Sequence, residues 1–276
     1  MKNGIERRVF IKSIVLGATG LMVRNYNVSA SEVSPDSILV KMIFNNIGSD
    51  PNYKKSWGLA IWIEQDKDAV LFDTGDNAET LWKNIEAAGV DLTRLSKIII
   101  SHDHNDHTDG LPVVLEKTNY EPVVYVNKND ACSIIKKFSN ITLKTVTDPV
   151  KITGSIWSTG QMRAFANNFE FYEQSVIIIK NNIQYILTGC AHSGVVEITE
   201  RAIQMHPDIE ISLLAGGFHL SLHSPEQVKQ ISDKLKELKV RRIAPSHCTG
   251  AKAIEYFRTS WKEKFVDFNL GESFTV

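Results

Sequence analysis

Eight histidines are spread over 276 residues, and three of them fall within six positions, His102-Asp103-His104-Asn105-Asp106-His107. Imidazole nitrogen and carboxylate oxygen are the donors a borderline cation such as Zn²⁺ accepts. In a loop, the histidines at the first and third positions can turn toward one ion. The aspartate at the fifth and the histidine at the sixth can then reach a second ion a few ångströms away. One segment would thus serve one or two zinc ions, with manganese and iron as alternatives. A bound cation of this kind lowers the pKa of its water from ~15.7 toward ~7 and polarises a carbonyl or phosphoryl oxygen. The chemistry indicated is metal-assisted hydrolysis by a metal-bound hydroxide, with Asp106 both ligating and orienting that hydroxide.

Such a cluster needs a rigid base. Lys97 to Ser101, with Ile98-Ile99-Ile100 at its centre, reads as a buried strand ending where the cluster begins. Functional groups in alternating α/β folds gather beyond the carboxyl ends of strands. Further strands are expected over Ile38–Asn45, Trp57–Gln65, Ala69–Asp73, Val123–Val126, Ile141–Val146, Gln174–Lys180, Gln184–Gly189, Ile211–Ala215 and Arg241–Pro245. Asn181-Asn182 supplies the positive φ of a hairpin turn. Helices are expected over Ala78–Ala88, with Asp76 or Asn77 as N-cap and Gly89 as the stop, and over Leu111–Lys117, Asn129–Phe138, Val195–Met205 and Ala251–Trp261. Another runs to Leu238, with Ser224 as N-cap and Pro225 at its first position. Two mixed sheets with outer helices would then pack face to face.

His102-x-His104-x-Asp106-His107 resembles the signature of the metallo-β-lactamase superfamily, and Leu71-Phe72-Asp73-Thr74-Gly75 resembles its upstream Asp motif. The resemblance extends over roughly residues 38–270 and implies an α/β fold, a four-layer αβ/βα sandwich with a metal centre at one edge. Thr188-Gly189-Cys190-Ala191-His192, Gly216-Gly217-Phe218-His219-Leu220 and Ser246-His247-Cys248-Thr249-Gly250 look like the dihydropterin-ribofuranosylaminobenzene-phosphate synthase-like branch.

Within that resemblance, His192 is expected to join His102 and His104 on the first metal. His247, which looks like the superfamily's last histidine, is expected to join Asp106 and His107 on the second. Many members have Thr-Gly-Asp where this chain has Thr188-Gly189-Cys190, and that Asp bridges the metals. They also carry an earlier histidine, which is missing here over Ile156–Gly160. Cys190 is therefore either a thiolate ligand or a small buried thiol; Cys248 has the same two readings, with packing favoured. Asp73 is expected to hold a ligand histidine from behind. His219 is expected to contact substrate or act as general acid, with the double glycine before it letting backbone approach a ligand. His206 and His223 read as surface residues; Trp57 and the loop Asn45–Ser56 could wall a pocket, with a core side chain the default for Trp57. An oxygen-reducing diiron centre is disfavoured, because such members place Glu where this chain has His104.

The composition excludes several classes. With 43% hydrophobic and 23% charged residues the chain is neither disordered nor fibrous. Lys plus Arg number 31 against 32 Asp plus Glu, so nothing draws the whole molecule to nucleic acid or anionic lipid, and a nuclease is disfavoured. No apolar run reaches the ~20 residues of a mature membrane span. Three cysteines are too few for a disulfide scaffold. Residues 1–30 read as a cleavable export signal: Arg7-Arg8 with Phe10 and Lys12 resembles the twin-arginine pattern, followed by a modest apolar stretch and Val28-Ser29-Ala30. Residues 31–37 would be a linker and 38–276 the folded domain. The expected partners are the twin-arginine machinery and a small-molecule substrate, in a periplasmic or other extracytoplasmic setting. The leading reading is a hydrolase of an ester, lactam or phosphoester. The branch resemblance also implies a carbon–nitrogen bond-forming synthase, and a degenerate scaffold could bind metal or ligand without turnover.

Overall fold

Strands that are apolar on both faces need cover on both sides, and the chain meets this need by stacking two sheets between two layers of helices. A computed structural model describes residues 37–276 apart from residues 132, 135–137, 139, 167 and 168. The expected signal (1–30) and nearly all of the linker lie outside the described residues, as does part of the helix expected over 129–138. The first sheet contains β1 (Ile38–Asn45), β2 (Leu59–Gln65), β3 (Asp68–Phe72), β4 (Leu95–Ile99), β5 (Val123–Asn127), β6 (Thr142–Val146) and the final β15 (Ser273–Thr275), in the order β15-β1-β2-β3-β4-β5-β6. The second contains β7 (Val150–Lys151), β8 (Ile156–Ser158), β11 (Val176–Lys180), β12 (Ile183–Thr188), β13 (Glu210–Gly217) and β14 (Ile243–Ser246), in the order β14-β13-β12-β11-β8-β7. β9 (Met162–Ala166) and β10 (Phe169–Glu173) form a separate hairpin.

Alternation along the strands partitions the core. On β3, Val70 and Phe72 face the second sheet, packing with Val176, Ile178, Leu187, Leu213 and Ala244. Ala69 and Leu71 point the other way, toward Leu81 and Ile85 of α1 (Ala78–Ala88) and Leu111, Val114 and Leu115 of α3 (Leu111–Lys117). The outer face of the second sheet packs on α4 (Val195–Met205), α5 (Pro225–Glu237) and α6 (Ala251–Trp261) through Ile198, Leu235 and Phe257. The result is the expected four layers. Local signals hold too: Asn77 caps α1, Gly89 ends it at φ 64°, Ser224 and Gln227 form a capping box, and Asn181 and Asn182 turn at φ 51° and 58°. The β9–β10 hairpin and the short β7 and β8 were not foreseen. The alternation Phe169-Glu170-Phe171-Tyr172-Glu173 was the available sign of β10.

β3 to β6 run parallel, as do β12 to β14, so both sheets present several strand carboxyl ends at the rim.

Candidate metal centre

From the first sheet come Asp73, just past β3, and the segment following β4. Asp73 is fully buried, and its carboxylate accepts from the Ser101 backbone N–H (2.7 Å), the Ser101 hydroxyl (2.7 Å) and His107 Nδ1 (2.7 Å). The Ser101 Oγ in turn lies 2.8 Å from His102 Nδ1. One carboxylate therefore fixes two imidazoles through their Nδ1 atoms and turns both Nε2 atoms toward the rim. The cluster is not all loop: Asn105–Thr108 forms a short helical turn, α2, in which the His107 N–H and the Thr108 hydroxyl bond back to the His104 carbonyl. That turn separates the donors. His102 Nε2 lies 2.9 Å from His104 Nδ1, while His107 Nε2 and His247 Nε2 lie 3.5 and 3.4 Å from Asp106 Oδ2.

From the second sheet come residues just past three parallel strands: Cys190 and His192 after β12, His219 after β13, His247 and Cys248 after β14. Donor atoms of Asp106, His107, Cys190 and His247 all lie within 4.8 Å of one another, and so do those of His102, Cys190 and His192. His104 lies beside the latter group, its Nδ1 2.9 Å from His102 Nε2 and its ring centroid 5.0 Å from that of His192. The residues of both expected sets thus lie together, with Cys190 between the two donor groups, its Sγ 3.1 Å from His107 Nε2. Gly189 permits the meeting of the sheets, since a Cβ there would collide with Ser101 Oγ and approach Asp73 Oδ2 to 3.0 Å. Asp73, Ala191, His219 and His247 all adopt φ between 49° and 59°. Backbone of this kind, costing on the order of 1 kcal/mol each, gathers at functional sites.

Two expectations are corrected. Trp57 is not a core residue; it is 52% exposed, with its ring 5.0 Å from that of His247, because β2 begins only at Leu59. The Gly216-Gly217 pair serves backbone packing rather than approach to a ligand. A Cβ at Gly216 would strike the Thr188 carbonyl, and one at Gly217 the Gly189 carbonyl. His223 is exposed, as expected, whereas His206 is half-buried with its ring 5.1 Å from that of Trp157; His223 lines a cavity of about 410 Å³ beside His192 and His219, with Glu197 and Lys234 on its wall.

Sequence reasoning missed three supports. Asn46 Oδ1 lies 2.9 Å from His247 Nδ1, leaving Nε2 facing Asp106. Buried Glu173, at the end of β10, accepts from the His192 N–H (2.9 Å), the Ser193 N–H (2.6 Å) and the Ser193 hydroxyl (2.5 Å), clamping the loop that carries His192. Phe171, on the same face of the hairpin, packs 4.9 Å from the His104 ring and 5.0 Å from that of His192. No local pattern marks any of them; each is defined by its partner in another segment.

The electrostatics suit a cation. Burial lowers His102, His104 and His192, the last to about 3, keeping these imidazoles neutral and their lone pairs available. Burial opposes the charge on Asp106, but hydrogen bonds with His107 and His247 hold its carboxyl far below its usual range. Burial also opposes charge on His107, yet Asp73 and Asp106 raise it to about 10, so this pocket stabilises positive charge. Both ring nitrogens of His192 are buried without a hydrogen-bond partner. Native proteins rarely leave buried nitrogens so, and a nitrogen, oxygen and sulfur donor set with an orphaned imidazole fits a zinc-like ion.

Comparison with known proteins points to the same fold. Residues 58–163 match the metallo-beta-lactamase superfamily. The chain is 26% identical over 259 residues to 7,8-dihydropterin-6-methyl-4-(beta-D-ribofuranosyl)-aminobenzene-5'-phosphate synthase of Methanocaldococcus jannaschii, covering 78% of this chain and 88% of that protein. It is 21% identical over 199 residues to a ribonuclease Z of Methanococcus maripaludis, covering 68% and 62%. Among solved structures it is similar to Tm1679, a metal-dependent hydrolase of the beta-lactamase superfamily, with TM-score 0.70 and 23% identity over 86% of this chain and 98% of that one.

Proposed function

For a chain that carries a metallo-beta-lactamase superfamily domain, we propose a metal-dependent hydrolase of a small ester, lactam or phosphoester. The observation that carries this reading is the meeting of donors from both sheets around Cys190. His102, His104 and His192 would hold one ion, Asp106, His107 and His247 a second, with Cys190 offered to both. A bound Zn²⁺ would supply Lewis acidity and a water acidic enough to react near neutral pH.

The chain's own residues do the rest. Asp73 and Ser101 fix His107 and His102 by their Nδ1 atoms, and Asn46 fixes His247. Asp106, ionised and facing the rim, would orient the attacking water. His219, half-buried and held raised by a hydrogen bond with Cys248, would donate to a leaving oxygen. The cavity between His192, His219 and His223 would seat the substrate, while Trp57 and Phe171 exclude water from either side. The balance of 31 basic against 32 acidic side chains favours a small molecule over nucleic acid. If residues 1–30 act as an export signal, the enzyme works outside the cytoplasm.

Similarity to the archaeal synthase over 88% of its length supports a second reading, formation of a carbon–nitrogen bond between a dihydropterin and a ribofuranosylaminobenzene phosphate. Elemental analysis, with turnover of p-nitrophenyl esters and phosphodiesters and of that substrate pair, separates the two. Hydrolysis lost in His107→Ala supports the hydrolase. Product from the substrate pair alone supports the synthase. Bound metal with neither activity would mean a binding protein on this fold, and activity that survives loss of His102 and His107 would remove the metal mechanism.

A further inference from the structure

Beyond the two histidine-rich sets, a third group of donors lies at the same rim. The ligand atoms of Cys190, His219 and Cys248 are within 4.8 Å of one another. Both thiols are buried, and the His219 ring lies 4.1 Å from that of His192, tilted by 47°. The packing is close around the second thiol: a Cβ on Gly217 would strike the Gly189 carbonyl and also come within 2.7 Å of Cys248 Sγ and 3.3 Å of Cys190 Cα. The loop behind it is braced. The Thr249 hydroxyl donates to the Ser246 carbonyl (2.6 Å) and accepts from the Phe218 N–H (3.0 Å), tying the turn that bears Cys248 to the one that bears His219. The Cys248 Sγ itself lies 3.5 Å from the Cys190 carbonyl.

We infer that Cys190, Cys248 and His219 form a further cation site, one that takes a thiophilic ion through two sulfurs and an imidazole and shares the Cys190 sulfur with the histidine sets. Two sulfurs and one imidazole select soft or borderline cations over hard ones, so Zn²⁺ and Cd²⁺ bind while Mg²⁺ and Ca²⁺ do not. As each sulfur takes the cation its thiol proton passes to solvent, so binding is accompanied by acid release. The inference rests on the metal-dependent reading above but not on hydrolysis; with the third ion bound, His219 is a ligand and no longer the donor to a leaving oxygen.

The test is titration of the metal-free full-length protein with Cd²⁺, in a Cys132→Ser background so that only Cys190 and Cys248 report. Sulfur-to-cadmium absorption in the near ultraviolet is followed, and cadmium NMR of the protein with both cysteines intact counts the sulfurs on each ion. Two sulfurs on one ion are expected. Cys248→Ser, with folding checked by circular dichroism, should reduce the saturating absorption by about half, one of two thiolates being lost. His219→Gln should keep the absorption and weaken binding at least ~10-fold. An NMR signal with no two-sulfur ion overturns the site even if the serine variant does not fold. So does absorption unchanged in Cys248→Ser, or affinity unchanged in His219→Gln. These outcomes leave the histidine sets standing, whereas failure of the parent protein to bind Cd²⁺ at all would sink both readings.

Discussion

The first sheet contributes His102, His104, Asp106 and His107 from one strand end, whereas the second contributes Cys190 and His192, His219, and His247 with Cys248 from three. The two halves also differ in support. The β4 segment is held from behind by a single buried carboxylate, Asp73, acting within its own sheet. The second half is held by outsiders: Glu173 from the hairpin clamps the His192 loop, and Asn46 past β1 orients His247. A short run of donors at one strand end needs only one correct turn, whereas separate donors require every strand to stop at the same level. The second half should therefore tolerate the loss of any one donor better.

His107→Ala should break the centre most, because His107 meets both Asp73 and the Cys190 junction. Metal affinity, read by competition with a chelating dye, should fall more than ~10²-fold, beyond the 10–100-fold typical of losing an outer partner. His192→Ala should cost less, and an equal or greater loss there would reverse the ranking of the halves.

Asp73→Asn probes the shared support. It keeps the shape but removes the charge that fixes two imidazoles, so affinity should drop by ~10–100-fold with little change in fold. Glu173→Gln should act on one histidine only. A loss of about 10-fold or less is expected, and a loss matching that of Asp73→Asn would mean that the second half also depends on one carboxylate.

The smallest effect concerns Asp130, next to Asn127, whose amide donates to the Ser101 carbonyl (2.8 Å) and to Asp130 (3.0 Å) behind the first half. Burial raises the Asp130 carboxyl from 3.8 to about 6. Its ionised form is disfavoured in the fold, so the penalty is present above about pH 6 and disappears as pH falls toward the unfolded value. Asp130→Asn should accordingly stabilise by about 1 kcal/mol near pH 8 and by little near pH 4, measured by denaturant unfolding of the metal-free protein. Stabilisation that is equal at both values would assign the effect to something other than charge.

Much was legible in the sequence. Periodicity placed α1, α3, α4 and α6 closely, and local side chains marked the ends of α1 (Asn77, Gly89) and the start of α5 (Ser224), whereas α3, α4 and α6 start at glycines with no capping side chain. The candidate donors stood out as the histidine cluster after an apolar strand and as histidines past later strands, and their division into two sets came from the family resemblance. The hairpin was not, since its strands pair mainly with each other and β10 is half-exposed.

By itself, then, the sequence determined the four-layer arrangement and the identity of the candidate ligands, because hydrophobic alternation and donor chemistry are properties of neighbouring residues. Only the tertiary structure decided that Cys190 stands at the junction of the sets, that Trp57 lies outside beside His247, and that Glu173 and Asn46 hold ligands far from them in the chain. Those facts depend on the registers of two sheets and on left-handed turns at Asp73, Ala191, His219 and His247, and a register is fixed by the packing of the whole core rather than by any one segment.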